Sequence, residues 1–340
     1  MLLSDRKEYK SPIELLRRKK GGVDMARRKR FLAAALMAAL LLGGCGNAQP
    51  NNDTLEVYEE NAVPAAAFRT AVYYTAPALT LSEFHADLAE GPEDTRIDLS
   101  AVSMGYFAVS ASSDRRLKLQ VIKGDDTYTY NIASDGTPSV LPLQCGDGSY
   151  HIRVMENVVD TRYAQIYAVD CEVELADPFA PFLVPSDYVN YNADSSSVTK
   201  ARELAEGAGS ALDVVTAVYA YIVRNVRYDS VKATTVNTGY LPDPDETLRT
   251  GEGICFDYAS LAAAMLRSQG IPTKLIFGYV SPDDIYHAWN MFYTEETGWV
   301  TVSYEVRSGL WNRLDLTFSA GGASDEFVGD GGNYSEVYQY

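Results

Sequence analysis

The sequence predicts an α+β chain, in which a small all-β, sandwich-like domain precedes a mixed domain of helices and antiparallel sheet. Three observations predict it. Between residues 96 and 175, short alternating runs are broken at close intervals by Gly-Asp and Asp-Gly turn signals. From Val198 the apolar residues recur instead at helical spacings of three and four. After Gly270-Ile271-Pro272, strand-like runs return. With 340 residues, 46% hydrophobic and 22% charged, the chain is long enough to bury a sizeable core, which excludes disorder and a polytopic membrane protein.

The chain opens on a segment that reads as an address. Arg27-Arg28-Lys29-Arg30 precedes an apolar run from Phe31 to Leu42, and the run ends in Leu42-Gly43-Gly44-Cys45. Those twelve residues are short for a membrane-spanning helix, which needs about twenty. The Leu-Gly-Gly-Cys ending resembles the lipobox of bacterial lipoproteins. That resemblance implies lipidation of Cys45, an extracytoplasmic body and anchorage to the bacterial membrane. Residues 1–45 are thus expected to be an N-terminal extension and a lipoprotein signal peptide, with Met25 rather than Met1 as the start. Residues 46–90, polar and acidic at first, are expected to be a tether.

Charge and cysteine usage narrow the partners. The formal net charge is −17, but 11 of the 29 Lys and Arg and only 4 of the 46 Asp and Glu precede Cys45. The remainder therefore balances 18 against 42, or −24. Such an acidic body repels phosphate backbones, so nucleic acid is not an expected partner. Four cysteines and three histidines, with no CxxC or HExxH spacing, predict neither a metal site nor a cofactor.

Residues 91–180 are expected to form the β domain. Its strands read as Tyr106 to Val109, Leu117 to Ile122, Tyr128 to Ile132, Tyr150 to Met155 and Ala164 to Leu175, about seven in all with weaker runs. His85 and His151 stand alone and read as structural. Cys145 and Cys171 could pair in an exported protein or remain two buried thiols, and the sequence leaves both open. Pro178, Pro181 and Pro185, with the polar stretch from Asn190 to Ser197, mark residues 181–200 as a linker, near which the two halves should separate.

Residues 201–340 make the second domain. Val215, Val218, Tyr219, Ile222 and Val226 define one helix, preceded by a weaker one from Val198 to Glu206. A long Asp-, Pro- and Gly-rich loop from Tyr228 to Gly253 follows, in which Asp243, Asp245 and Glu246 read as solvated. A second strong helix runs from Cys255 to Gln269. Strands follow at Thr273 to Val280, His287 to Tyr293, Trp299 to Tyr304 and Leu310 to Phe318.

The chemistry concentrates in that half. Gly251-Glu252-Gly253-Ile254-Cys255 brings a cysteine to a helix start, where free N–H groups and the positive dipole end should lower its pKa and could hold an oxyanion. Tyr286-His287-Ala288-Trp289-Asn290 presents a histidine at the head of a strand, suited to a general base. Asp315, within an apolar strand, could orient that imidazole. Trp289 and Tyr258 are candidate walls of a substrate cleft.

These motifs together resemble the transglutaminase-like superfamily, of papain-like cysteine-protease type. The resemblance rests on Gly253-Ile254-Cys255-Phe256-Asp257-Tyr258-Ala259, His287-Ala288-Trp289-Asn290 and Asp315-Leu316-Thr317-Phe318, over residues 210 to 325. It implies a papain-like transglutaminase core with Cys255 as nucleophile, His287 as base and acid and Asp315 as orienter. Leu316 replaces the family's usual proline, and an extra strand-turn from Ser303 to Gly309 makes Ser303 a rival alignment for the third position. The implied activity is acyl transfer from amide bonds of proteins or peptides, cell-wall peptides among them, by transamidation, deamidation or hydrolysis. The alternative is a catalytically inactive module of the same fold that binds peptide or cell wall.

Overall fold

The computed structural model describes residues 73–237, 239–280, 285–305, 313–317 and 334–340. Cys45, the expected signal segment and residues 46–72 of the expected tether lie outside the described residues.

Seven strands come first: β1 (Thr95–Asp98), β2 (Tyr106–Ala111), β3 (Leu117–Lys123), β4 (Asp126–Ile132), β5 (Ser139–Pro142), β6 (Gly148–Val159) and β7 (Arg162–Val173). They form two antiparallel sheets, one in the order β1-β2-β5 and one in the order β4-β3-β6-β7. The alternation that predicted them has its usual cause: Leu117, Leu119 and Val121 are buried, while Lys118, Gln120 and Ile122 are only partly so. The β3–β4 hairpin closes at Lys123↔Asp126 through Gly124, whose φ of 57° favours glycine. Cys145 and Cys171 are free, half-buried thiols. His85 Nδ1 lies 3.0 Å from the Asp98 carboxylate, and His151 Nδ1 lies 2.6 Å from that of its cross-strand partner Asp170.

The second half begins with helices α1 (Ser196–Ala205) and α2 (Ala211–Asn225). Strand β8 (Arg227–Tyr228), helices α3 (Ser230–Thr235) and α4 (Pro244–Thr250), and strand β9 (Glu252–Gly253) lead to α5 (Cys255–Ser268). Strands β10 (Thr273–Val280), β11 (Ile285–Thr294), β12 (Gly298–Glu305), β13 (Arg313–Thr317) and β14 (Tyr334–Gln339) make an antiparallel sheet in the order β13-β12-β11-β10-β14. Helix α5 is the central element: every residue from Phe256 to Ser268 is buried. A helix apolar on all sides belongs inside a core, and the small side chains of Ala259, Ala262, Ala263 and Ala264 let its neighbours approach closely. Val215, Val218, Tyr219, Ile222 and Val226 of the α2 pattern are all buried against it.

Two expectations about organisation need correction. The segment 181–200 is not an exposed linker: Phe182, Val184, Tyr188, Val189 and Tyr191 are buried. One apolar cluster runs through both halves, joining Phe107, Leu119, Tyr130 and Ile152 to Phe256, Phe277 and Tyr340. Alternation and prolines reported a change of secondary structure there, not a gap in the core. The described part of the expected tether is also bound down. Tyr74 pairs its N–H with Ala208 O at 2.7 Å and its hydroxyl with Gln269 O at 2.7 Å, and Leu79 and Leu81 pack on the shared cluster.

In the acidic loop Asp243 and Glu246 are exposed, as expected, but Asp243 and the half-buried Asp245 also cap helices. The Asp243 Oδ1 accepts the N–H groups of Asp245 and Glu246 at 2.9 and 3.1 Å, starting α4 with Pro244 in its first turn. Asp245 in turn accepts the N–H groups of Ser196 and Ser197 at 2.9 and 2.8 Å, at the start of α1.

Candidate active site

Chain geometry delivers Cys255 to its place. Gly251 ends α4 at φ 63°, where an added Cβ would lie 2.8 Å from Asn225 O. Residues Arg227–Tyr228 and Glu252–Gly253 then pair as short parallel strands, which aim the chain into α5. At Gly253 an added Cβ would lie 2.6 Å from Asp257 Cβ, so only glycine leaves room for the buried acid of the first turn. Asp257 Oδ2 accepts the Ile254 N–H at 2.7 Å and thereby caps the helix.

Cys255 is the first residue of α5, and the backbone amide of Ala288 acts on its thiol, lowering the pKa. That amide belongs to the peptide unit joining His287 to Ala288. The structure therefore brings the cysteine of the helix start to the strand head that carries the histidine. Cross-strand from His287 stands Gly278, which has no side chain to crowd the ring. Asn290 fixes the two elements together: its Nδ2 donates to Ala259 O of α5 at 3.0 Å and to Lys274 O of β10 at 3.2 Å, and its Oδ1 accepts from the Tyr219 hydroxyl of α2 at 3.2 Å. A fully buried amide with all these partners is a strut between helix and sheet.

The expected low pKa of the thiol is overturned. Although Cys255 keeps some exposure, burial of the sulfur pushes its pKa up to about 11. The Ala288 N–H opposes that rise and the Asp257 charge adds to it. A helix start lowers a thiol pKa only while desolvation is modest, and here desolvation wins.

Tyr258 and Trp289, expected as cleft walls, are core residues. Tyr258 is buried and donates its hydroxyl to Val226 O at 2.8 Å, and Trp289 is fully buried. Their motif positions are occupied for packing.

For the third position the backbone gives register. The β11–β12 ladder runs from Thr294↔Gly298 to Asn290↔Val302, and beyond Val302 strand β12 pairs with β13 at Ser303↔Asp315. Asp315 thus stands one strand beyond the neighbour of the histidine strand, as the cross-strand partner of Ser303. The rival positions are side by side.

Two residues near the site escaped the reading of the sequence as functional positions, Asp257 and Asn290, although both belong to the quoted motifs. The signal was a polar residue inside an apolar run, which predicts a buried group with partners.

Residues 198–304 match the transglutaminase-like superfamily. This segment is a transglutaminase-like domain. The match includes Cys255 and His287 and ends before Asp315. Among solved structures, the chain is similar to a candidate cysteine protease from Cytophaga hutchinsonii, at 18% identity and a TM-score of 0.33 over 65% of this chain and 68% of that one. It is similar to LapG of Legionella pneumophila at 16% identity and a TM-score of 0.25, over 44% of this chain and 86% of that one. Similarity to red sea bream transglutaminase stands at 13% identity and a TM-score of 0.26, over 58% of this chain and about half, 48%, of that one. At such TM-scores the assignment of the transglutaminase-like domain rests on the sequence match and its motifs. No curated protein sequence matches the chain significantly.

Proposed function

We propose that the protein is a cysteine acyl-transfer enzyme acting on amide bonds of proteins or peptides, held to the outer side of a bacterial membrane by lipidated Cys45. The observation that carries the reading is the Cys255 sulfur at the start of α5 against the amide that follows His287. In the reaction, His287 takes the thiol proton as sulfur attacks the amide carbonyl. Helix-start N–H groups face the oxyanion that forms, and the imidazolium returns the proton to the departing amine or ammonia. Water or a second amine then opens the thioester, with His287 as base again. Asp315, the cross-strand partner of Ser303, orients the imidazole in this reading.

A pKa of about 11 supports this division of labour, because a buried neutral thiol needs the imidazole to remove its proton during attack. The same burial favours the second reading, an inactive module for peptide or cell-wall binding.

One experiment decides between them. The purified protein is incubated with iodoacetamide across pH 6 to 11, and with amide-bearing peptides, cell-wall stem peptides included, while amine and ammonia release is followed. Alkylation of Cys255 should still be rising above pH 9, where an ordinary thiol of pKa about 8.5 has begun to level. Release from at least one peptide should disappear in Cys255→Ala. Binding of peptides without turnover, undiminished in Cys255→Ala, would establish the module instead. Membrane release of a Cys45→Ala variant tests the anchor, and its retention at unchanged mobility would refute it.

A further inference from the structure

Behind the nucleophile turn lies a group of side chains that the acyl-transfer reading does not use. Asp257, fully buried, accepts two hydrogen bonds, from Ile254 N–H at 2.7 Å and from the Tyr240 hydroxyl at 2.5 Å on the other oxygen, and pairs with Lys232 Nζ at 2.8 Å through the oxygen that Ile254 uses. Lys232 Nζ donates also to the Tyr240 oxygen at 2.7 Å and lies 4.5 Å from the centre of its ring. The three groups therefore close a triangle of cation, phenol and carboxylate. Each comes from a different element: Lys232 from α3, Tyr240 from the loop after it, Asp257 from α5.

The chain takes trouble to bring Lys232 there. Helix α3 starts at Asp229, whose carboxylate accepts the Lys232 N–H at 2.8 Å and whose own N–H donates to Gly253 O at 2.8 Å. The short helix is thus pinned at its N-cap to the glycine that precedes the nucleophile turn. A lysine needed only for solubility would not require this anchoring, and a fully buried carboxylate without a cation would be costly.

Asp257 lies two positions after Cys255, and its negative charge opposes formation of a thiolate. We propose that Lys232, seated by Tyr240, is a positioning residue for the acyl-transfer site: it offsets part of the Asp257 charge and so limits how far the helix-capping carboxylate suppresses the reactivity of Cys255. The inference rests on the reading of Cys255 as the reacting thiol. The other titratable group whose charge acts with that of Cys255 is Tyr228 of β8, itself close to Tyr258, Asp257 and Asp229. Burial raises the Tyr228 phenol, which stays neutral and leaves Asp257 and Lys232 as the pair whose balance can be altered. Without Lys232, Asp257 keeps the Ile254 N–H and the Tyr240 hydroxyl as donors.

The test reads the pH dependence of Cys255 alkylation by iodoacetamide, quantified by mass spectrometry of the Cys255 peptide in the full chain, with thermal melts alongside. Lys232→Met should move the alkylation midpoint up by roughly one pH unit. Asp257→Asn should move it down, and the double variant should coincide with Asp257→Asn. Tyr240→Phe, which keeps the ring packing, should shift the midpoint upward by less than Lys232→Met and serves if Lys232→Met fails to fold. An unchanged midpoint in folded Lys232→Met and Tyr240→Phe would overturn the proposal, as would a Lys232 effect that persists in the Asp257→Asn background. Because alkylation reads the thiol and not turnover, the shifts stand even if no peptide is processed. Absence of turnover with the shifts present would sink the proposed function and leave this inference intact.

Discussion

At its first turn, helix α5 holds a carboxylate, Asp257, against Lys232 and Tyr240, whereas at its last turn it holds a guanidinium, Arg267, against the main chain. Arg267 is buried, and it donates to Thr273 O at 2.9 Å, to Val184 O at 2.8 Å and to Tyr340 O at 3.0 Å. Burial lowers its pKa to about 10, so it stays charged at neutral pH. One end of the helix balances charge with side chains that can be varied singly, next to a thiol with some exposure. The other end joins the following strand and two distant segments through main-chain oxygens that no side-chain substitution removes. The helix is thereby anchored at its C-terminal end and adjustable at its N-terminal end, which suits the role proposed for Cys255.

Removing the partner of the anchored end altogether should have the largest effect. A fragment beginning at Asp187 loses Val184 O from Arg267, and strips Tyr128 and Tyr130 from the Tyr340 ring, to which they pack edge-on at 5.7 Å each. It should show no cooperative melt by circular dichroism. A cooperative transition near that of the whole chain would mean that the shared cluster is dispensable.

Next in size, Arg267→Met should destabilise the whole chain by about 3 to 5 kcal/mol, because three buried main-chain oxygens lose the guanidinium at once and Tyr340 O is left with the Leu275 N–H. Chemical denaturation checks the value. The Lys232→Met variant at the other end should cost less, since Asp257 keeps two donors. Equal losses at the two ends would erase the contrast between them.

How much of this was legible in the residues follows from what each kind of signal measures. Helical spacing at Val215, Val218, Tyr219, Ile222 and Val226 reports one buried stripe, and all five are buried. The Gly253-Ile254-Cys255 and His287-Ala288 motifs report local backbone demands, and the helix start and the strand meet as those motifs require. Alternation, in contrast, says which face of a strand is buried and not what covers it, so the cluster shared between the halves was not visible. Polar residues at 243, 245 and 246 look alike in a loop and in a pair of caps. Only the Asp-Pro-Asp-Glu order hinted at the latter. The raised pKa of Cys255 depends on total burial around the sulfur, which no short motif encodes.

The third position of the site is a prediction about activity alone. Asp315→Asn should lower turnover by about 10² to 10⁴ while the protein stays folded, and Ser303→Ala should leave turnover within about threefold. Because the two residues are cross-strand partners, the comparison is between neighbours in one ladder. A damaging Ser303→Ala with a fully active Asp315→Asn would transfer the orienting role to the strand next to β11.

The smallest expected effect concerns Asp245, which belongs to the cap of α1 and not to the nucleophile turn. Burial pushes its carboxyl up, but the hydrogen bonds from Ser197 and Ser196 outweigh burial and hold it below the usual carboxylate range. A folded pKa below the unfolded one means that the carboxylate stabilises the fold above the unfolded value of about 3.9, and that this contribution is lost as pH falls through the folded value. Asp245→Ala should therefore cost about 1 kcal/mol at neutral pH, the usual worth of a cap, and the difference from the parent chain should fade as the pH is lowered below about 4. Alkylation of Cys255 should keep its midpoint in this variant, because Asp245 is spent on the N–H groups of Ser196 and Ser197 and not on the turn that holds the thiol. A shifted midpoint would show that α4 transmits charge to the first turn of α5, and the adjustable end of the helix would then extend beyond Lys232, Tyr240 and Asp257.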